Sequence, residues 1–225
     1  MSQIEMFGKT QNGDDVQRIS IQAGELTAHI LTWGATVQDL RHTAQKAPLI
    51  LGFDTMKAYE AHDSYFGATC GRVANRRGGA AFELDGQSFK LDANDGSSCL
   101  HGGQHTFGRR NWIVEAVGDD FVILALISKD GESGFPGMVS VRATFRIVAP
   151  GRLSINYEAS TTKPTLVNLA HHSYFTLRGD RENVLDHVIE LPTTRYTESG
   201  DDLITTGRIL DAKNTDRDFT DGRAI

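Results

Sequence analysis

The chain has 225 residues, 39% apolar and 23% charged, with a formal net charge of -6. That balance excludes wholesale disorder, and at this size folding needs no disulfide or metal staple. An acidic chain is also a poor general nucleic-acid binder, because phosphate contacts need clustered Lys and Arg.

The first residues carry no basic stretch followed by an apolar run, so no secretory signal is expected. No uninterrupted apolar run approaches the roughly 18 residues of a membrane span. Cys70 and Cys99 sit in no CxxC or metal-ligand spacing and read as buried small hydrophobes. The expected compartment is the cytoplasm, with no membrane and no nucleic-acid partner.

Taken in chain order, the periodicity is that of strands. Ile19-Ile21 and Leu26-Ala28-Ile30 alternate around Ala23-Gly24. A single short helix is expected over Thr55 to His62, with Thr55 as its cap. Asp85-Gly86 then joins Ala81–Leu84 to Gln87–Leu91, and Asp-Gly suits the positive backbone angles of a two-residue hairpin loop. Another hairpin is expected at Gly118-Asp119, between Trp112–Val114 and the run from Phe121 to Ile127. Val139 to Ile147 alternates strictly, turns at Pro150-Gly151, and resumes from Leu153 to Ala159. No linker or repeat divides the chain. The expectation is one all-β domain over residues 1–225, an antiparallel sandwich with little helix.

Walker loops, GxGxxG after a strand, HExxH and GxSxG are all absent. Three polar segments stand out between the strand patterns. The first runs from Tyr65 through Gly71-Arg72-Val73-Ala74-Asn75-Arg76. The second is Asn94-Asp95-Gly96 with Leu100-His101-Gly102-Gly103, and the third is Asn168 to Phe175. Arg and Asn offer forked and amide hydrogen bonds to a polyhydroxylated ligand, while imidazoles move protons near neutrality. The plainer alternative is that these residues brace loops. Adjacent His171 and His172 point to opposite faces of a strand, which argues against a shared metal ion. Ser173 follows a histidine without any marked third member of a catalytic triad.

Read together, the segments resemble the aldose 1-epimerase (galactose mutarotase) family. The similarity starts at Trp33 to Val37, passes through Leu51 to Asp54, and is strongest at GRVANR (Gly71 to Arg76) and LHGG (Leu100 to Gly103). LDGQSFKL (Leu84 to Leu91), between these two, is equally strong, and FGRRNW, DGESGFPG and HHSYFTL follow in the family's order. The resemblance implies a galactose-mutarotase-like β-sandwich, the supersandwich, and an isomerase that interconverts the α and β anomers of a free hexose such as galactose or glucose. In that reaction a base takes the anomeric hydroxyl proton while an acid protonates the ring oxygen; the ring opens, rotates and recloses. Only protons move, so no cofactor and no metal is implied.

Carried over by motif, His172 matches the general acid, and Asn75, Arg76 and His101 match sugar-binding residues. Ser173 and Tyr174 flank the acid and are expected in the same pocket. His171 and Thr176 stand where the family usually has Asn. The family continues into a G-[YF]-D-H segment and a later Glu that serves as base, and no residue here matches that Glu. The chain is therefore expected to be shortened at its C-terminus. Asp130 and Glu132 carry only their charge to suggest a replacement. A non-catalytic sugar-binding or sensing protein is the alternative; a two-carboxylate glycosidase lacks a marked acid pair.

Overall fold

A computed structural model describes residues 3–179 and 183–225. The chain forms two compact units, Met1–Phe175 and Thr176–Ile225.

The first unit opens with β1 (Gln3–Lys9), β2 (Asp15–Ala23), β3 (Leu26–Leu31) and β4 (Thr36–His42), paired antiparallel in that order. The alternation seen in the sequence puts Ile19 and Ile21 of β2 and Ala28 and Ile30 of β3 on one fully buried face. The helix α1 (Met56–Ala61) starts at Thr55, whose Oγ1 accepts the Ala58 N–H at 3.2 Å. Met56 and Tyr59 bury against Val16 and Leu31.

Five short strands follow: β5 (Thr69–Cys70), β6 (Arg76–Arg77), β7 (Ala81–Leu84), β8 (Gln87–Lys90) and β9 (Cys99–Leu100). The β7–β8 hairpin turns at Asp85 and Gly86, both with positive φ (51° and 75°), as the Asp-Gly pair requires. A second antiparallel sheet is built from β10 (Ile113–Val117), β11 (Phe121–Ser128), β12 (Val139–Val148) and β13 (Arg152–Thr161). Trp112, expected to start a strand, precedes β10 and instead donates its indole N–H to the Phe107 carbonyl at 3.0 Å. Finally β14 (Ala170–His171) pairs with β5.

The two four-stranded sheets bury one core. Ile19, Ile21, Ile30 and Val37 meet Val122, Leu124, Val141 and Phe145 from the second sheet. A satellite cluster of Phe82, Leu91, Cys99 and Phe135 lies beneath the β7–β8 hairpin. This is an antiparallel β-sandwich with a single short helix among its described residues.

The second unit holds β15 (Val188–Ile189), β16 (Arg195–Ser199), β17 (Thr205–Asp211) and β18 (Arg223–Ala224). β16 pairs with β17 and β15 with β18. Among the described residues no helix is long and apolar enough to cross a membrane.

One buried charge organises the first unit. Arg72 is only 2% exposed, and burial lowers its pKa. One terminal nitrogen donates to the carbonyls of Pro136 (2.9 Å) and Gly137 (2.8 Å). The other donates to Ser128 Oγ (2.7 Å) and the Lys129 carbonyl (3.0 Å). A planar fork suits that spread of acceptors, whereas an ammonium is a single point of charge. Arg72→Lys is expected to lower stability and Arg72→Ala to lower it further, by about 2–4 kcal/mol, because the carbonyls lose their donors. Urea denaturation midpoints at neutral pH check this; an unchanged midpoint for Arg72→Ala contradicts it.

Candidate functional site

The β14–β5 pairing places the third polar segment. Ala170 pairs with Cys70 and His171 with Thr69. Beyond the ladder, His172 N–H donates to the Ala68 carbonyl (2.9 Å) and Gly67 N–H to the His172 carbonyl (3.0 Å). Side chains therefore alternate. His171 faces the sandwich, with its ring 6.4 Å from Phe145, whereas His172 faces an open cavity.

Asn75, Arg76, His101, His172 and Tyr174 all line that cavity, of about 420 Å³. Its size and openness are those of a small-ligand site. Ser173 does not line it. Its Oγ lies 2.6 Å from His171 Nε2, since residues two apart on an extended chain share a face. Tyr65, which was not among the expected site residues, also lines the cavity, its ring tilted and 4.7 Å from that of His101 and 6.1 Å from that of His172. Its place at the start of the first polar segment was the available signal.

The second polar segment brings His101 in. Asn94 clamps Leu100, accepting its N–H at 2.7 Å and donating to its carbonyl at 3.0 Å. Gly102 (φ 94°) lies directly on the backbone of Gly71 and Arg72, where any Cβ would collide. This close approach sets His101 against Asn75. The Asn75 N–H donates to His101 Nδ1 at 3.1 Å, and the His101 N–H donates back to the Asn75 carbonyl at 3.0 Å. Because Nδ1 accepts, the ring proton of neutral His101 resides on Nε2.

Charges around the cavity are balanced. Arg76 Nε donates to Asp95 Oδ2 at 2.6 Å, and Asp63 is paired with Arg109. Asp130 accepts from the Gly137 N–H and pairs with Lys163, while Glu132 pairs with Arg110 at 2.9 Å. Neither carboxylate lines the cavity, so both serve the loop that receives Arg72.

The imidazoles crowd one another. The His101 and His172 rings are 5.1 Å apart and nearly perpendicular. Burial, then the neighbouring His172 and Arg76, pushes His101 down to about 4. Burial and His172 push His171 to about 4 as well.

Ligand atoms of Cys70, His101 and His172 lie within 4.8 Å of one another, a donor set that suits zinc by type. The surroundings suit it poorly. A metal-bound neutral imidazole donates from its other nitrogen, whereas His101 Nδ1 accepts there. Burial also raises the Cys70 thiol to about 12, which favours its protonated form.

The two depressed histidines make stability depend on pH. Unfolded, each takes up a proton near its ordinary value of 6.5; folded, each does so only near 4. The unfolded chain therefore binds more protons between these values. Their contribution is complete above pH 6.5 and is lost as pH falls toward 4. The loss is up to about 1.4 kcal/mol per pH unit for each group. Urea midpoints measured between pH 7 and 4.5 are expected to fall, and His171→Asn to flatten the slope. An identical slope in that variant contradicts the assignment.

Comparison with known proteins agrees with the architecture. The aldose 1-epimerase family model matches residues 17–225. Galactose mutarotase from Sus scrofa is 34% identical over 215 residues, 93% of this chain and 62% of the relative. Aldose 1-epimerase from Haemophilus influenzae is 32% identical over 219 residues, 95% of this chain and 64% of the relative. The chain thus spans less than two thirds of the length of these relatives. The crystal structure of an aldose epimerase homologue from C. elegans superposes with a TM-score of 0.87 at 31% identity, covering 92% of this chain and 65% of that one. A galactose 1-epimerase structure from Lactobacillus acidophilus gives 0.89 at 21% identity, over 100% of this chain and 67% of that one, and bears on the fold alone. With its sandwich, its ordered motifs and a family match over nearly all its length, this chain belongs to the aldose 1-epimerase family.

Proposed function

We propose that the cavity takes a free hexose, such as galactose or glucose, and that the chain acts on it as an aldose 1-epimerase. The observation that carries this reading is the convergence of His101, His172, Asn75 and Arg76 on one open, charge-balanced cavity. Arg76 is held by Asp95 and Arg109 by Asp63, which leaves the lining suited to a neutral polyol rather than a sugar phosphate.

In this reading His172 is the acid. Its imidazolium gives a proton to the ring oxygen as the bond from that oxygen to the anomeric carbon breaks. The anomeric hydroxyl loses its proton, and the resulting aldehyde rotates and recloses to the other anomer. His101 offers Nε2–H to a sugar hydroxyl, a role that needs the imidazole neutral, as its lowered pKa keeps it. Arg76, oriented by Asp95, and Asn75 hold neighbouring hydroxyls in register. Tyr174, whose ring lies 5.1 Å from His172, offers a face to the sugar's C–H patch. Among the described residues, Asp63 is the one carboxylate in the lining, and it is paired with Arg109. No described residue of the lining is thus assigned as the general base that takes the anomeric proton.

Polarimetry on freshly dissolved α-glucose and α-galactose tests this. A single positioned acid is expected to accelerate mutarotation by about 10²–10⁴-fold, and His172→Ala to abolish that acceleration. Asp95→Asn, which frees Arg76, is expected to raise KM more than it lowers kcat. Sugar binding seen by NMR with no rate above buffer overturns the enzyme reading in favour of a sugar-binding protein.

A further inference from the structure

The turn that carries Tyr65 also holds the backbone of His172. The Tyr65 carbonyl accepts the Ala68 N–H at 3.1 Å, and Tyr65 itself takes a positive φ of 52°. A non-glycine residue keeps that conformation only where its surroundings impose it. Here they do. The His172 N–H and carbonyl both bond the turn, at Ala68 (2.9 Å) and Gly67 (3.0 Å). The Val37 N–H donates to the Gly67 carbonyl at 2.9 Å, so β4 fixes the turn from beneath.

The Tyr65 ring has a rigid backing. Gly108 of the FGRRNW segment lies so close that a Cβ there would stand 3.2 Å from Tyr65 Cδ1 and 3.2 Å from Ala68 Cβ. The same ring meets both imidazoles, 4.7 Å from His101 at 54° and 6.1 Å from His172 at 39°. Among the described residues no other aromatic side chain touches both: Tyr174 meets His172 alone of the pair. Burial, and then the neighbouring Cys70, hold the Tyr65 phenol above its ordinary value of 10, so it stays neutral and takes no proton.

We propose that Tyr65 is a positioning residue of the site: its ring, backed by Gly108, sets the orientation of His172 against His101. This rests on the reading of His172 as acid and His101 as hydroxyl donor. The two imidazoles then address different oxygens of one sugar, so their mutual angle, 83° here, decides whether both are met at once. Turning a ring shifts its nitrogens by about an ångström, and misplacement of that size costs up to about a hundredfold in rate. The ring of Tyr65 supplies this; its hydroxyl is not needed.

Polarimetry on α-galactose separates this role from packing alone. Tyr65→Leu is expected to lower kcat about tenfold to a hundredfold while KM moves less than about threefold. Tyr65→Phe, which keeps the ring, is expected to retain most of kcat. Gly108→Ala presses a Cβ on the ring from outside the cavity and is expected to lower kcat in the same way. Added to Tyr65→Leu it is expected to cost little more, because the ring it displaces is gone. NMR titration of the imidazoles reads the same contact without turnover. In Tyr65→Leu the His101 midpoint is expected to rise from about 4 toward 6.5, and in Tyr65→Phe to stay near 4. Circular dichroism checks that each variant folds; if Tyr65→Leu does not, Gly108→Ala decides alone. An unchanged kcat, a loss confined to KM, or full additivity of the two substitutions overturns the proposal. A parent chain without mutarotation sinks the enzyme reading by itself, and an unmoved His101 midpoint in Tyr65→Leu then sinks the positioning role.

Discussion

The first unit is arranged around the Arg72 guanidinium. Burying a full charge costs several kcal/mol unless its hydrogen bonds are replaced. Here the replacements are three backbone carbonyls and the Ser128 hydroxyl, from the end of β11 and the loop after it, with the Thr165 hydroxyl further off at 3.5 Å. The charge therefore ties the second sheet's end to the segment that begins at Gly71. Asn75 and Arg76 follow within four residues, so their position over the sandwich is inherited from that anchor. Gly102 then rests on the same backbone, and His101 is carried to Asn75 as a consequence. Asp130 and Glu132, although acidic and near the site in sequence, belong to this anchor: their charges offset the cost of burying Arg72.

That arrangement also sets the electrostatics of the cavity. Burial disfavours charge on His101, His171 and Cys70 alike, and the exposed ions at the rim are paired. What remains is a set of oriented dipoles. Donors preorganised in this way pay little to reorganise when a polar ligand replaces water. The tautomer of His101 is part of the same economy, because a backbone N–H on Nδ1 leaves the donor facing the cavity.

The large strands were legible in the sequence because a half-buried strand writes its period of two over many residues. β2, β3, β12 and β13 and the Asp-Gly and Pro-Gly turns are read this way. The strands that assemble the site are not. β5, β6, β9 and β14 each have two residues, too few to show a period, and pairing between distant segments specifies them. Motif resemblance picked out Asn75, Arg76, His101, His172 and Tyr174, which line one cavity, without that information, and alternation explains why Ser173 is not among them. Ser173 adjoins His172 in sequence but shares a face with His171, whereas Tyr174 returns to the cavity side. Arg72, the most deeply buried side chain of GRVANR, is unremarkable in composition; only the positions of its acceptors, some 56 to 65 residues away, disclose its role.

The same alternation limits what His171 does to its neighbour. Where the family resemblance implies an amide, this chain carries an imidazole, and an imidazolium there would put a positive charge beside the cavity. His171 instead lies among core groups, with Nε2 on Ser173 Oγ and Nδ1 buried without a partner. A ring in that setting stays neutral down to about pH 4, so above that it adds no charge beside the proposed acid. Its influence is confined to packing and to a dipole fixed by Ser173. The substitution is tolerable because it sits on the apolar side of β14; an imidazole placed one residue further, on the cavity side, would compete for the same proton.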